Sequence, residues 1–284
     1  MKKILLTGGS GFVGSNVLPF LQEKHKIYAP KRTELDVRNT EQVKQYLKKE
    51  QFDVIVHFAS PSPIRSAKLD SYESLFEDSM KIFMNFYTMR NYFGKMLYSG
   101  SGAEFDKRRD IKKVKECEIG QYIPCDSYGL SKYIINELAS KSENIYNFRI
   151  FACYGPNEYD SKFITHCIKC CLKNEPITIR QDCYFDYLYV DDYAKYITYF
   201  VDHTPKFHDY NSTSGIRLKL STIAEIVRTQ MNSTLPVQIL SDGMNKEYTA
   251  DNTRIMHETG IQNLISIEDG IAKLIEWEKQ KNEA

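Results

Sequence analysis

A doubly wound parallel α/β sheet, followed by a smaller C-terminal region, is the fold class that the sequence predicts. Three observations carry this expectation. Short runs of apolar and β-branched residues alternate with segments of helical period as far as Ile150. A glycine-rich turn separates the first strand from the first helix. After Gly155-Pro156 the alternation loosens into helices and short extended pieces. Strands that alternate with helices need right-handed crossovers, which place helices on both faces of a parallel sheet.

The elements follow in order. Ile4 to Leu6 is a short strand running into Thr7-Gly8-Gly9, after which Phe12, Val13, Val17, Leu18 and Leu21 recur at helical spacing. Ile27 to Ala29 reads as a second strand, and Val43 and Leu47 mark a second helix. Val54-Ile55-Val56 is a third strand, β-branched and suited to burial on both faces. A helix near Tyr72 to Phe93, a strand at Lys95 to Tyr98, a helix from about Ser127 to Ser140 and a strand near Tyr146 to Ile150 continue the pattern.

Composition bounds what such a chain does. Its 284 residues suit one large domain or two close ones. With 38 basic and 37 acidic residues, it lacks the excess charge that counterion release on nucleic acid requires. The apolar run Ile4-Leu5-Leu6 is too short for a secretory leader, and no run is long enough to span a membrane. Neither nucleic-acid binding nor membrane insertion is therefore expected. Seven cysteines, an odd number, with Cys167, Cys170 and Cys171 crowded together, suit a reducing cytoplasm better than a disulfide framework. No second ligand pair stands at zinc-site spacing from them, so a helix face is expected there and no metal.

Thr7-Gly8-Gly9-Ser10-Gly11-Phe12-Val13-Gly14 lies where the N–H groups of a helix N-terminus can receive a dinucleotide pyrophosphate. Gly8 and Gly9 allow the sharp turn, Gly11 a close approach to phosphate, and Gly14 tight packing of helix on strand. Such turns also serve as plain connections, and it is the position at the first strand-to-helix junction that adds weight. The second strand is followed by Pro30-Lys31-Arg32, not by an acid. An acid there would bind a ribose 2′-hydroxyl, whereas the planar fork of Arg32, supported by Lys31, suits a 2′-phosphate. Asp36-Val37 is placed to border the adenine. NADP is favoured over NAD.

Tyr128 and Lys132 stand four residues apart, on one face of a helix and about one turn from each other. A tyrosine that exchanges a proton near pH 7 needs its phenolate favoured by roughly 3 pKa units, about 4 kcal/mol. A neighbouring lysine and an oxidised nicotinamide both supply charge of the right sign. The segment Met96 to Phe105 brings Ser101 to the sheet's carboxyl edge, where its hydroxyl can donate to a substrate carbonyl.

With these motifs in order, the sequence resembles the extended short-chain dehydrogenase/reductase family of nucleotide-sugar epimerases, dehydratases and reductases. The resemblance runs through Thr7 to Gly14, Val56-His57-Phe58-Ala59, Ser99 to Phe105, Pro124 to Lys132, Arg149 to Pro156, Phe185 to Asp192, and Tyr248 to Asn252. It implies a Rossmann-type cofactor domain over residues 1–155, with contributions from about 180–210 and 245–252, and a mostly substrate-binding region over 156–284. It implies Ser101, Tyr128 and Lys132 as the catalytic set. The cofactor site expected is Gly8, Gly11, Phe12, Val13, Gly14, Lys31, Arg32, Asp36, Val37, Phe58, Ala59 and Lys132. Lys31-Arg32-Thr33-Glu34-Leu35-Asp36 looks most like the NADPH-using GDP-fucose synthase branch, which supports a reductase.

Departures from the family pattern narrow the chemistry. Dehydratases have an Asp-Glu pair after the catalytic hydroxyl residue, where this chain has Gly102 and Ala103. Glu104 is one place too far and is expected to act as a local or substrate hydrogen-bond acceptor. A cysteine that the fucose synthase branch uses for epimerisation is also replaced, by Ala103. Ala152 and Phe185 stand where relatives have an asparagine and an arginine for the nucleotide diphosphate. Lys162, Arg180, Arg217 and Lys246 are candidate replacements by chain region, and Lys107-Arg108-Arg109 adds a basic loop near the site. The leading expectation is an NADPH-dependent reductase of a 4-keto nucleotide sugar. The alternative is an NAD-dependent C4 epimerase using the same three residues. A homodimer is expected, with Tyr133, Ile134 and Leu138 offering an apolar face.

Overall fold

The computed structural model describes residues 1–61 and 74–283. Six parallel strands form the central sheet in the order Asp209–Ser212, Ile145–Ile150, Phe93–Ser101, Phe52–His57, Lys3–Thr7, Lys26–Tyr28. Alternation along each strand decides which cover it contacts. Ile4 and Leu6 point to one face and join Val17 and Leu21 of the helix Phe12–Gln22, together with Tyr193 and Ile197 of the helix Val190–Asp202. Leu5 points to the other, with Val43, Leu47, Phe83, Phe86, Ile135 and Ala139 from the helices Thr40–Glu50, Leu75–Tyr87 and Ser127–Ser140. Both faces are thus covered, as a doubly wound sheet requires.

The strand Lys3–Thr7 has Lys26–Tyr28 on one side and Phe52–His57 on the other, so the winding reverses beside it. Helices leave in opposite directions at such a reversal, and a crevice opens at the strands' carboxyl ends. The helix expected near Tyr72 to Phe93 is Leu75–Tyr87, with a short 3-10 turn Arg90–Tyr92 after it, and Tyr72 lies outside the described residues. Asp209–Ser212 has no apolar run. Its side chains serve another purpose: Asp209 and Asn211 accept from the guanidinium of Arg149 on the neighbouring strand, at 2.9 and 2.8 Å.

A second core lies below the cleft. The helices Phe163–Leu172, Leu220–Gln230 and Ile267–Glu283 pack Ile164, Ile168, Ile223, Val227, Ile271 and Leu274 together. Cys167 and Cys170 are buried on the first of these helices, Cys171 is half-buried, and all seven cysteines are free thiols. Beside them, Val237–Met244 pairs in parallel with Ile177–Asp182. The register shifts between Ser241 and Met244, where Asp242 and Gly243 are extra, with Gly243 at φ +77°.

Candidate active site

The glycine turn is tied to the third strand. Thr7 Oγ1 meets His57 Nδ1 at 2.9 Å and accepts from the Ala59 N–H at 3.3 Å, while the Phe58 N–H donates to the Thr7 carbonyl at 3.2 Å. Burial, with Lys132 nearby as a smaller cause, pushes the His57 imidazole down to about 3. Gly8 has φ +72°, and a Cβ there would come within 2.7 Å of the Ala59 nitrogen. A Cβ at Gly14 would overlap the Gly8 carbonyl oxygen, so the first helix packs onto the turn only without a side chain. Gly11 is the N-cap of that helix, and its own N–H bonds to Gly8. The helix therefore presents its N-terminus to the crevice.

A cleft of about 950 Å³ runs along the carboxyl edge of the sheet. Gly8, Gly11, Phe12, Val13 and Gly14 line it at the reversal, with Phe58 and Ala59 opposite. Arg32, Asp36, Val37 and Arg38 line it beyond the second strand. Past the fourth strand it is walled by Ser101, Tyr128 and Lys132, and farther on by Ala152, Lys107, Lys162, Phe185 and Tyr248. These residues fit a dinucleotide chemically: the helix N-terminus offers a cradle without side chains, and the guanidinium groups of Arg32 and Arg38 are available to an anion.

Asp126 caps the helix Ser127–Ser140 by accepting from the Gly129 N–H at 2.8 Å, which fixes the first turn and Tyr128 with it. One turn on, Lys132 is almost completely buried and its ammonium lies 5.8 Å from the centre of the Tyr128 ring. Its Nζ donates to the Tyr98 hydroxyl at 2.6 Å and to the Ser99 carbonyl at 3.1 Å. Burial pulls Lys132 down to about 8, opposed by the Glu104 carboxylate, so it remains mainly charged at pH 7. Tyr128 is raised by burial, opposed by the Ser101 hydroxyl nearby. A phenolate formed on Tyr128 would meet the positive charge of Lys132.

The model of the NAD dependent epimerase/dehydratase family matches residues 4–212, the glycine turn and the Tyr-Lys helix included. The chain belongs to that family. It is an enzyme of the NAD(P)-dependent epimerase, dehydratase and reductase group. A CDP-abequose synthase of Yersinia pseudotuberculosis is 25% identical over 79% of this chain and 82% of its own length. A GDP-L-colitose synthase of the same species is 22% identical over 97% of each chain. The structure of a GDP-L-fucose synthetase from Naegleria fowleri bound to NADP superposes with a TM-score of 0.85 at 16% identity, covering 99% of this chain and 95% of that one.

Within this family member, some expected contacts fall elsewhere. The segment after Ser101 is not extended: Gly102–Glu104 is a 3-10 turn in which the Ser101 hydroxyl accepts from the Ala103 N–H at 3.1 Å. The turn swings Glu104 into the core, fully buried, where it accepts from Arg149 Nε at 2.7 Å, from Asn147 at 3.0 Å and from the Ser101 N–H at 2.9 Å. It is a local acceptor and does not line the cleft. Arg180 is exposed on the strand Ile177–Asp182, away from the cleft. Arg217 is held by both Glu247 oxygens at 2.7 Å and stacked on Tyr184, and it too lies off the cleft wall. Lys31 is exposed and does not line it either. The lining residues not anticipated as site residues include Arg38, legible as a second basic residue beside Asp36-Val37, and Tyr248, which lies in a segment of the resemblance but has no role in it.

Proposed function

We propose that this enzyme is an NADPH-dependent reductase of a 4-keto sugar carried on a nucleotide diphosphate, acting in deoxysugar or surface-polysaccharide synthesis. The observation that carries the reading is the fate of the carboxylate nearest the reacting set. Ser101, Tyr128 and Lys132 all face the cleft, while Glu104 is bound to Arg149 and leaves the dehydratase positions to Gly102 and Ala103. Proton removal from carbon thus lacks its acid–base pair, and reduction of a carbonyl does not need one.

NADPH held by the glycine turn, Arg32 and Arg38 would supply a hydride to the carbonyl carbon. Ser101 donates a hydrogen bond to the carbonyl oxygen, and Tyr128 gives that oxygen its proton, so the C=O becomes CH–OH and the nicotinamide ends oxidised. Lys132 offsets the negative charge left on Tyr128. The names of the relatives, synthases of CDP-abequose, GDP-L-colitose and GDP-L-fucose, support a nucleotide-linked deoxysugar. Arg32 and Arg38 support NADP. With Ala152 and Phe185 unable to hold a diphosphate, Lys107, Arg109, Lys162 and Lys246 on the cleft wall are, among the described residues, the cations available to it.

The test uses purified protein, NADPH and a panel of 4-keto-6-deoxy nucleotide sugars. NADPH oxidation is expected with at least one, and Tyr128→Phe should lower kcat by about 10²- to 10⁴-fold with NADPH affinity unchanged. Tightly held NAD, together with interconversion of UDP-hexoses and no NADPH oxidation, would replace this reading with a C4 epimerase.

A further inference from the structure

Tyr98 lies on the strand Phe93–Ser101 and is only 2% exposed. Its ring stands edge-on to Phe83 at 5.5 Å and stacks on His57 at 5.8 Å, in the core that Phe86, Met96 and Ile135 share. Packing of that kind asks for an aromatic ring, and a phenylalanine would supply it. The hydroxyl is an addition, and burying it without a partner would be destabilising. Its partner belongs to the reaction centre: the Tyr98 hydroxyl accepts from Lys132 Nζ at 2.6 Å, and the ammonium lies 4.5 Å from the centre of the same ring.

The lysine ammonium has three N–H donors on a flexible stem. Two of them are committed to adjacent residues of one strand, the Tyr98 hydroxyl and the Ser99 carbonyl at 3.1 Å, while Lys132 itself lines the cleft. Among the described residues no carboxylate forms an ion pair with it, since Glu104, the acid that acts on it, is bound to Arg149 at 2.7 Å. This matters for Tyr128, whose ring centre is 5.8 Å from the ammonium. A carboxylate would hold Lys132 as firmly, but its negative charge would cancel the field that favours a phenolate. Neutral acceptors hold the ammonium and leave its charge. We propose that Tyr98 is a positioning residue of the reaction centre: with the Ser99 carbonyl, its hydroxyl holds the Lys132 ammonium beside Tyr128 without neutralising it. The inference rests on the proposed reduction only for its effect on turnover.

The variant Tyr98→Phe removes the hydroxyl and keeps the ring. Lys132 is followed by NMR of protein labelled at lysine Cε, with its resonance assigned by its loss in Lys132→Met. The titratable groups facing Lys132 are Tyr98, Tyr128, Glu104 and His57, and only the first changes. A charged donor that loses an acceptor gives up its proton more readily, so Lys132, at about 8 in the wild type, should titrate about 1 unit lower. Because the charged form is the one that serves Tyr128, the alkaline limb of kcat/KM should move down as well. The deficit of the variant should widen from near parity at pH ~6 to about tenfold at pH ~9. A Lys132 titration that is unmoved or shifted upward overturns the inference, and a deficit equal at every pH, the mark of lost packing alone, overturns it too. If wild-type protein reduces no keto sugar but Lys132 titrates lower in the variant, the proposed function fails and this inference stands. If reduction is observed and the titration is unmoved, the inference fails alone.

Discussion

Arg32 and Arg38 approach Asp36 from opposite sides in sequence, with side-chain nitrogens 3.8 and 3.5 Å from its carboxylate. An acid between two guanidinium groups orders both without consuming either, because each fork retains free N–H donors. Replacing Arg32 or Arg38 by Ala should weaken NADPH binding about tenfold or more, as expected for lost hydrogen bonds to a charged group, and leave NADH within about threefold. Fluorescence titration with both cofactors measures this. An equal loss for NADPH and NADH would mean that neither arginine reads the 2′-phosphate. At the same scale Lys132, at about 8, is set by its surroundings to hold charge near neutrality, and the Tyr98 hydroxyl at 2.6 Å keeps its ammonium in place.

Among the elements, the turn Gly102–Glu104 links the site to the sheet. Its glutamate and Arg149 are both fully buried, and Asn136, Asn147, Asp209 and Asn211 complete the network. Removing Glu104 strips the buried Arg149 and Asn147 of an acceptor and leaves Asp209 as the carboxylate on Arg149, so Glu104→Ala should cost about 3 kcal/mol in urea unfolding. A loss below about 1 kcal/mol would show that the network relaxes around the gap. This turn also marks where the sequence stops being legible. Five strands of the central sheet could be read because period and burial are local properties of Ile4 to Leu6 or Val54 to Val56, whereas Asp209–Ser212, with no apolar run, and the helix Val190–Asp202 were not. The glycine turn and the Tyr128–Lys132 pair could be read because their chemistry lies within a few residues. The direction of Glu104 depends on Arg149 and Asn147, which reach it from the neighbouring strand, and on Asn211 of the next strand, which holds Arg149, and no spacing in the chain encodes that. Arg180 and Arg217 failed as cleft residues for the same reason, since chain region alone does not say which side of a strand faces the site.

At the scale of the whole molecule, a formal charge of +1 conceals an uneven distribution. Lys107, Arg109, Lys162 and Lys246 share the wall of one cleft. Attraction of an anionic substrate to such a cleft is screened by salt. Raising ionic strength from about 0.05 to 0.5 M should therefore raise KM for the nucleotide sugar severalfold while kcat changes little. Steady-state kinetics across that range measures it, and a flat KM would remove these residues from diphosphate binding. A different consequence follows from Val237–Met244. This strand is paired on one side only, and its outer positions expose Ile239, Leu240 and Met244. An open edge of apolar residues is a template onto which another chain can add. The two extra residues, Asp242 and Gly243, break the ladder, and Gln181 pins the break by donating to the Asp242 carbonyl at 3.0 Å. An inserted charge and a glycine kink thus limit the length of straight edge open to self-association, and solubility in a concentrated solution is guarded far from the chemistry.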